Sequence, residues 1–165
     1  MQYLAAFLLS ALLLAEGATM VATAGQLPAR VASHFDAQGF ANSFMLRTDY
    51  QLLVLGLGLG IPLLLVLVLV VLPYAMPNRL RIPSRDYWID PLRRAQTLSS
   101  IATSGLIIAC IVAAFMIAMQ LLVVQANSRV PPQLDNTLFY TLGAMLIIAI
   151  LAWQFLLWRR FQVPR

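Results

Sequence analysis

Residues 50–74 read YQLLVLGLGLGIPLLLVLVLVVLPY and contain no charged side chain. An apolar run longer than about 18 residues is typical of a helix that spans a bilayer, because backbone groups in hydrocarbon must pair within their own segment. Three further runs of this kind lie at roughly 3–24, 98–124 and 136–158. The four runs predict an all-α fold, a single integral membrane domain over residues 1–165 built as a four-transmembrane-helix bundle.

The composition excludes two other classes of protein. Of the 165 residues, 61% are hydrophobic and only 10% are charged, and the mean hydropathy is +0.84. Soluble domains carry about a quarter charged residues, and disordered chains lack this much apolar surface. The one cysteine, Cys110, cannot form an internal disulfide. The sequence identifies no cofactor.

All eleven basic residues are Arg, and the net charge is +5. They lie between apolar runs, which favours a role in membrane orientation over nucleic-acid binding. Eight of them fall in residues 75–97 and 159–165, and three fall in the other two loops. The eight are Arg79, Arg81, Arg85, Arg93, Arg94, Arg159, Arg160 and Arg165; the three are Arg30, Arg47 and Arg129. The positive-inside rule therefore places both termini in the cytoplasm and residues 25–49 and 125–135 outside.

The first apolar run ends in Ala22-Thr23-Ala24, which is similar to a signal-peptidase site. However, no basic residue precedes the run, and Glu16 interrupts it. We therefore expect a retained helix in place of a cleaved signal.

Glu16 lies near the middle of this run. A central acidic side chain costs about 2.5–3.5 kcal/mol on insertion scales, so it should face the bundle interior. We expect it near Ser, Thr or Tyr of the third or fourth helix, or near Arg or His of the outer loop. Thr19 and Thr23 share its helical face. Two interpretations stay open: a proton or cation site, or an internal hydrogen bond to a neighbouring helix.

The first loop, residues 25–49, predicts a short hairpin. Alternating residues surround Asp36-Ala37-Gln38-Gly39, which has turn chemistry, with Gly39 suited to positive φ. The large apolar residues of the loop predict an ordered hairpin that packs on the helix ends, with Phe35, Phe40 and Phe44 on the face toward the membrane.

His34, the only histidine, would then be reachable from outside. His34, Asp36 and Gly39 are candidate binding residues, and His34 is a candidate metal ligand. A lone His is a weak metal signal, and a His that hydrogen-bonds the loop is the simpler interpretation.

Two features of the helices favour packing. Gly56 and Gly60 form a GxxxG spacing, which predicts close packing within the bundle or, alternatively, a homo-oligomer. Pro62 should kink or loosen its helix. Ser100, Thr103 and Ser104 share one face of the third helix. They either pack against a neighbouring helix through hydrogen bonds or line a narrow polar cavity with Glu16.

The second loop predicts an elbow at the membrane surface, because Arg and aromatic residues sit at headgroup level. Docking of a cytoplasmic partner is the alternative. The residues that we assign to this surface are Arg79, Arg81, Arg85, Trp88, Arg93 and Arg94.

These two loops resemble the signatures of a bacterial membrane family of unknown function, best known as the N-terminal half of SdpI-type immunity and signalling proteins. The outer-loop residues that carry the resemblance are Leu27-Pro28, Val31, His34-Phe35 and Gly39, and the elbow residues are Ser84-Arg85-Asp86-Tyr87-Trp88, Pro91, Arg93-Arg94 and Thr97. The resemblance spans the first two-thirds of the chain. It implies a multi-pass protein of the bacterial inner membrane and brings no catalytic residues.

The leading functional hypothesis is a non-enzymatic accessory, immunity or signalling protein. Its outer face, formed by the His34 loop, Glu16 and the polar helix faces, would bind a protein or peptide partner. The alternative is a membrane enzyme or small transporter that uses Glu16 and His34 as proton-handling or metal-binding groups. A water-reachable polar pocket at Glu16 distinguishes the second hypothesis from the first.

Overall fold

Four long helices coincide with the four apolar runs, as predicted. The computed structural model describes residues 1–162, so Arg165 of the Arg count lies outside the described residues. Each helix is long and apolar enough to cross a membrane. Their bounds are α1 Gln2–Thr23, α2 Arg47–Ala75, α3 Arg94–Asn127 and α4 Asn136–Arg160.

Helix α3 is the centre of the bundle. Its 34 residues pack against all three other helices. Its contact with α1 uses small side chains, with Ala5 and Leu9 set against Leu106, Ala109 and Ala113. Small residues let helix backbones approach closely in lipid, where dispersion contacts drive association. Helix α4 has no buried residue along its whole length, all of which the structure describes, so it is the least enclosed of the four.

Helix α2 passes through Pro62 and then widens into a π-helical turn at Leu67–Val71. This turn presses on α3, since a Cβ added to Gly105 would lie 2.7 Å from the Leu69 Cβ. The helix is α-helical through Pro62, so the expected kink or loosening is not at the proline, and the irregular part is the π turn that begins five residues later. Gly105 provides the close approach that the wide turn needs.

The prediction that Gly56 and Gly60 pack within the bundle is wrong. A Cβ added to either residue would meet nothing within 4 Å, because both lie on the exposed face of α2. Gly58, between them, is the buried glycine, and it faces Glu16 of α1. A homo-oligomer through Gly56 and Gly60 stays a prediction.

Between α1 and α2 lies the hairpin, so the fold is mostly helical with a small antiparallel sheet, and the all-α prediction is incomplete. Its strands are β1 Arg30–Phe35 and β2 Ala41–Leu46. The register shifts on both sides of His34, which marks bulges in the ladder. Val31 and Ala32 lie before the bulges and are both buried. Val31 packs beside Leu27 and Tyr50 on one face, and Ala32 is hydrogen-bonded to Asn127 of α3 on the other.

The predicted common face for the phenylalanines is wrong. Phe35 packs against Leu122 and Leu134 beside the ends of α3 and α4. Phe40 and Phe44 are 45% and 44% exposed. Phe44 pairs with Ala32 whereas Phe35 pairs with Ala41, and this odd offset puts Phe35 and Phe44 on opposite faces of the ladder. The hairpin is nevertheless packed on the bundle, as predicted.

The bundle has two polar ends. The hairpin and residues 125–136 meet at one end, where Ala41 N donates to Pro132 O and Leu134 N donates to Gly39 O. At the other end Ser99 Oγ donates to Gln2 Oε1, and Trp88 Nε1 donates to the carbonyl of Phe161. We call these the hairpin end and the elbow end, the elbow being residues 76–93. The N-terminus of α1 and the C-terminus of α4 both lie at the elbow end.

Candidate functional site

The hairpin is fastened to α3 by one buried amide. Asn127 Oδ1 accepts from Ala32 N at 2.8 Å, and its Nδ2 donates to Ala32 O at 3.0 Å and to Val123 O at 2.9 Å. This amide therefore satisfies both main-chain groups of a fully buried strand residue, which would otherwise be costly to bury. The sequence-based predictions missed Asn127, although an amide at the edge of an apolar run was a signal.

The turn of the hairpin is fixed by its own side chains. Asp36 Oδ1 accepts from Gln38 N at 3.0 Å and from Phe40 N at 2.8 Å. Gly39 has φ +87°, and a Cβ there would lie 2.7 Å from Leu134 O, so both its conformation and its surroundings require glycine. The positive φ was expected from the sequence. Asp36 and Gly39 thus shape the turn.

A cleft of about 340 Å³ opens between the hairpin and the adjoining ends of α3 and α4. His34 is exposed there, as predicted, and its Nδ1 lies 3.2 Å from Ser33 Oγ. The volume is at the lower end of the range for ligand pockets. The cleft combines polar groups, aromatic rings and an apolar floor, and its principal lining residues are His34, Asp36, Asn136, Phe139, Tyr140 and Met119.

Asn136 braces this cleft from the first turn of α4. Its Nδ2 donates to Ala37 O at 2.9 Å, which ties the tip of the hairpin to α4. Asp135 caps the same helix by accepting from Leu138 N at 3.0 Å. Within residues 1–162 no group of three His, Cys, Asp or Glu side chains comes together. The cleft therefore offers hydrogen bonds and aromatic contacts to a ligand.

Glu16 faces the bundle interior, as predicted, and is 1% exposed. A Cβ added to Gly58 would lie 2.8 Å from the carboxyl carbon of Glu16, so the side chain fills the space that glycine leaves. Its neighbour on α3 is Gln120. With the Gln120 amide in the orientation that pairs both of its ends, Nε2 donates to Glu16 Oε1 at 3.3 Å and Oε1 accepts from Met20 N at 3.2 Å.

The expected partners of Glu16 were thus wrong, since an amide takes the place of a hydroxyl or an outer-loop residue. Gln120 was missed, although it is a single amide within the third apolar run. Thr19 and Thr23 donate to Ala15 O and Thr19 O of their own helix. Helical Thr side chains commonly form such bonds.

Two polar atoms in this region have no hydrogen-bond partner. They are Glu16 Oε2 and Tyr50 Oη, and they are the buried side-chain atoms without a partner among residues 1–162. Tyr50 is 4% exposed and packs beside Leu27 and Val124. Buried polar groups are nearly always paired, so each of these two atoms is unusual.

The predicted joint site of Glu16 and His34 is wrong, because α3 separates them. Met119 and Val123 of α3 line the His34 cleft, whereas Gln120 meets Glu16 from a different face of the helix. Ser104 lies sixteen residues before Gln120, which is about 24 Å along a helix, so the polar face of α3 forms no cavity with Glu16.

At the elbow end, Arg79, Arg81 and Arg94 are exposed. Arg85 forms a 2.8 Å ion pair with Asp86 and donates to Asn78 O at 2.7 Å. Trp88 is partly buried against Phe161, with ring centroids 5.5 Å apart.

Arg93 stacks on Tyr87, with its guanidinium carbon 4.0 Å from the ring centroid. The elbow is therefore an aromatic cluster with Arg side chains around it.

No family model, curated protein or solved structure matches this chain. The resemblance to the SdpI-type family therefore stays a prediction that depends on the two loop signatures.

Proposed function

We propose that this is a multi-pass protein of the bacterial inner membrane, with the elbow end and both termini in the cytoplasm. The distribution of Arg supports this orientation. Seven of the ten Arg residues within 1–162 belong to the elbow end, and Arg30, Arg47 and Arg129 belong to the hairpin end. Positive charges near the helix ends set orientation.

Fusions to alkaline phosphatase test this orientation. The enzyme inserted after Gln38 should be active, and the same enzyme fused after Arg165 should be inactive. The reverse result would contradict the orientation.

We propose further that the protein is a non-enzymatic accessory, immunity or signalling protein that binds a peptide or protein partner at the hairpin end. One observation carries this proposal: an open cleft with polar and aromatic lining residues lies beside the hairpin. The hairpin is held in place by hydrogen bonds from Asn127, from Asn136 and with the backbone of residues 132–134. A preorganised surface loses little entropy when a ligand binds.

The chemistry of the cleft fits a peptide. Tyr140 and Phe139 offer flat aromatic surface, with Tyr140 59% exposed. His34 and Asp36 add groups that hydrogen-bond main-chain or polar side-chain atoms of a ligand. Aromatic residues at the centre of an interface commonly provide most of its affinity. The resemblance to SdpI-type proteins is consistent with immunity or signalling as the role of such binding.

The test uses peptides selected from a random library against the purified protein in lipid nanodiscs. We expect the selected peptides to bind a variant with His34→Ala and Tyr140→Ala at least about tenfold more weakly, since loss of two central contacts commonly costs more than 1.4 kcal/mol. Asn42→Ala on the exposed face of β2 is the control and should retain binding. Selected peptides that bind the His34/Tyr140 variant as tightly as the unchanged protein would contradict the proposal.

A second candidate function follows from the unpaired atom Glu16 Oε2. Glu16 is 1% exposed, so the water-reachable pocket expected for this function is closed in the structure, and proton exchange would need it to open. An intramembrane carboxylate with incomplete hydrogen bonding suits a membrane enzyme or small transporter in which Glu16 takes up and releases a proton. The protein in liposomes with a pH-sensitive dye inside should then carry proton flux that Glu16→Gln abolishes. Asp49→Asn, which changes an exposed acid at the hairpin end, should have no effect. Equal flux with the unchanged protein and with Glu16→Gln would remove this candidate.

A further inference from the structure

A groove of about 800 Å³ runs between α3 and α4 in the half of the bundle near the elbow end. Its walls are Ala149, Ala152 and Leu156 of α4 and Ile107 and Ile111 of α3. Toward the elbow end the α3 wall continues with the hydroxyl side chains Ser99, Ser100, Thr103 and Ser104. The small alanines leave open space on the α4 side of the groove. Trp153 spans the groove, because its Nε1 donates to Ser104 Oγ at 2.6 Å and to Ser104 O at 3.1 Å.

A second cavity of about 380 Å³ adjoins this groove at its elbow end. The two cavities share Gln96, Ser100 and Arg160 as lining residues, so they lie side by side. The smaller cavity is bounded by Arg93 and Arg160, with Trp88 beside them. None of the described residues that line either cavity is Asp or Glu. The combined space therefore has a cationic, aromatic pocket at one end and apolar walls at the other.

The length of the groove matches one leaflet of a bilayer. Ala149 and Arg160 mark its extent on α4, and eleven residues of helix measure about 16 Å. The hydrocarbon core of a bilayer is about 30 Å thick, so each leaflet contributes about 15 Å. An acyl chain of that leaflet lying between α3 and α4 would place its headgroup beside Arg93 and Arg160.

We propose that this composite cavity binds one anionic glycerophospholipid of the surrounding leaflet, with its phosphate between Arg93 and Arg160 and one acyl chain along the groove. Charge complementarity selects the anionic headgroup, since Arg pairs strongly with phosphate and Trp favours the headgroup depth. The proposal rests on the proposed membrane embedding and is independent of peptide binding at the hairpin end.

Tryptophan fluorescence provides the test, because Trp153 lies in the groove. Trp158, which is outside the groove and 53% exposed, is first replaced by Phe. Trp88 then remains at headgroup depth, and Trp153 is the tryptophan at acyl-chain depth. The protein is reconstituted in phosphatidylcholine vesicles with a minor fraction of phosphatidylglycerol brominated on its acyl chains. We expect stronger quenching of Trp153 than brominated phosphatidylcholine produces at the same fraction.

Two double variants are compared. The first is Arg93→Gln with Arg160→Gln, which removes both Arg side chains proposed to hold the phosphate. The second is Arg79→Gln with Arg81→Gln, which removes the same charge at the same end from positions outside both cavities. The first pair should weaken the apparent affinity for phosphatidylglycerol about tenfold or more. The second pair, which also lies at the membrane surface but outside both cavities, should weaken it clearly less. Arg160→Gln alone, which leaves the stacking of Arg93 on Tyr87 intact, should weaken it by an intermediate factor. Equal quenching by the two brominated lipids, or excess quenching that survives the first pair, would overturn the proposal.

Discussion

The hairpin end and the elbow end hold their loops by different contacts. At the hairpin end, buried amide hydrogen bonds fix the main chain, with Asn127 bonded to both groups of Ala32. At the elbow end, ring contacts dominate, and Trp88 meets Tyr87 at 5.1 Å and Phe161 at 5.5 Å between centroids. Hydrogen bonds are directional and fix one shape, whereas ring contacts tolerate small shifts.

This difference agrees with the two proposals. A peptide site needs groups held in fixed positions, and the hairpin end supplies them. A lipid site needs charge and apolar surface at the right depth, and the elbow end supplies these. The comparison predicts that substitutions of the residues that hold the hairpin in place cost more stability than substitutions of the residues that hold the elbow.

The largest effect should come from Asn127→Ala. The change removes three hydrogen bonds and leaves the buried main-chain groups of Ala32 unpaired. We expect the free energy of unfolding to fall by about 3 kcal/mol. An SDS titration in mixed micelles measures this change. Asn42→Ala on exposed β2 is the control and should cost little, and equal losses in the two variants would show that Asn127 does not hold the hairpin.

Gly39→Ala should have the next largest effect. At φ +87° an alanine is strained, and its Cβ would lie 2.7 Å from Leu134 O. We expect a loss of about 2 kcal/mol, with faster protease cleavage between Asp36 and Gly39. Gly25→Ala is the control, because a Cβ there would meet nothing within 4 Å. Unchanged cleavage in the Gly39 variant would mean that the turn accommodates a side chain.

The sequence predicts the helices well because their cause is local. A long apolar run must form a helix in lipid whatever surrounds it. The turn at Asp36–Gly39 was predicted for the same reason, since its chemistry lies within four residues.

The fastening of the hairpin was not predictable in this way. Asn127 and Ala32 are 95 residues apart, and no local pattern relates them. The strand register was not predicted either: Phe44 pairs with Ala32 and Phe35 with Ala41, so the three phenylalanines were wrongly assigned to one face. Gln120 was visible as an amide in an apolar run, but its pairing with Glu16 depends on how α1 and α3 pack.

Trp88→Phe tests the elbow end. The variant keeps an aromatic ring between Tyr87 and Phe161 but loses the 2.7 Å hydrogen bond from Nε1 to Phe161 O. We expect a loss of about 1 kcal/mol in the same SDS titration, which is smaller than for either hairpin variant. Trp158→Phe, at an exposed site on α4, should change stability less still. A loss as large as that of Asn127→Ala would break the comparison between the two ends.

His34→Ala should have the smallest effect on stability and separates shape from binding at the hairpin end. The imidazole is exposed, and its contact at 3.2 Å is with the neighbouring Ser33 hydroxyl, so nothing in the packing of the hairpin depends on it. We therefore expect the free energy of unfolding to change by less than about 0.5 kcal/mol, as at other surface positions. Protease cleavage of the turn should also stay as slow as in the unchanged protein. Ser33→Ala, which removes the hydroxyl and keeps the imidazole, is the matched control. If His34→Ala destabilises the protein as much as Gly39→Ala does, the histidine holds the hairpin together and the cleft loses its principal candidate for ligand recognition.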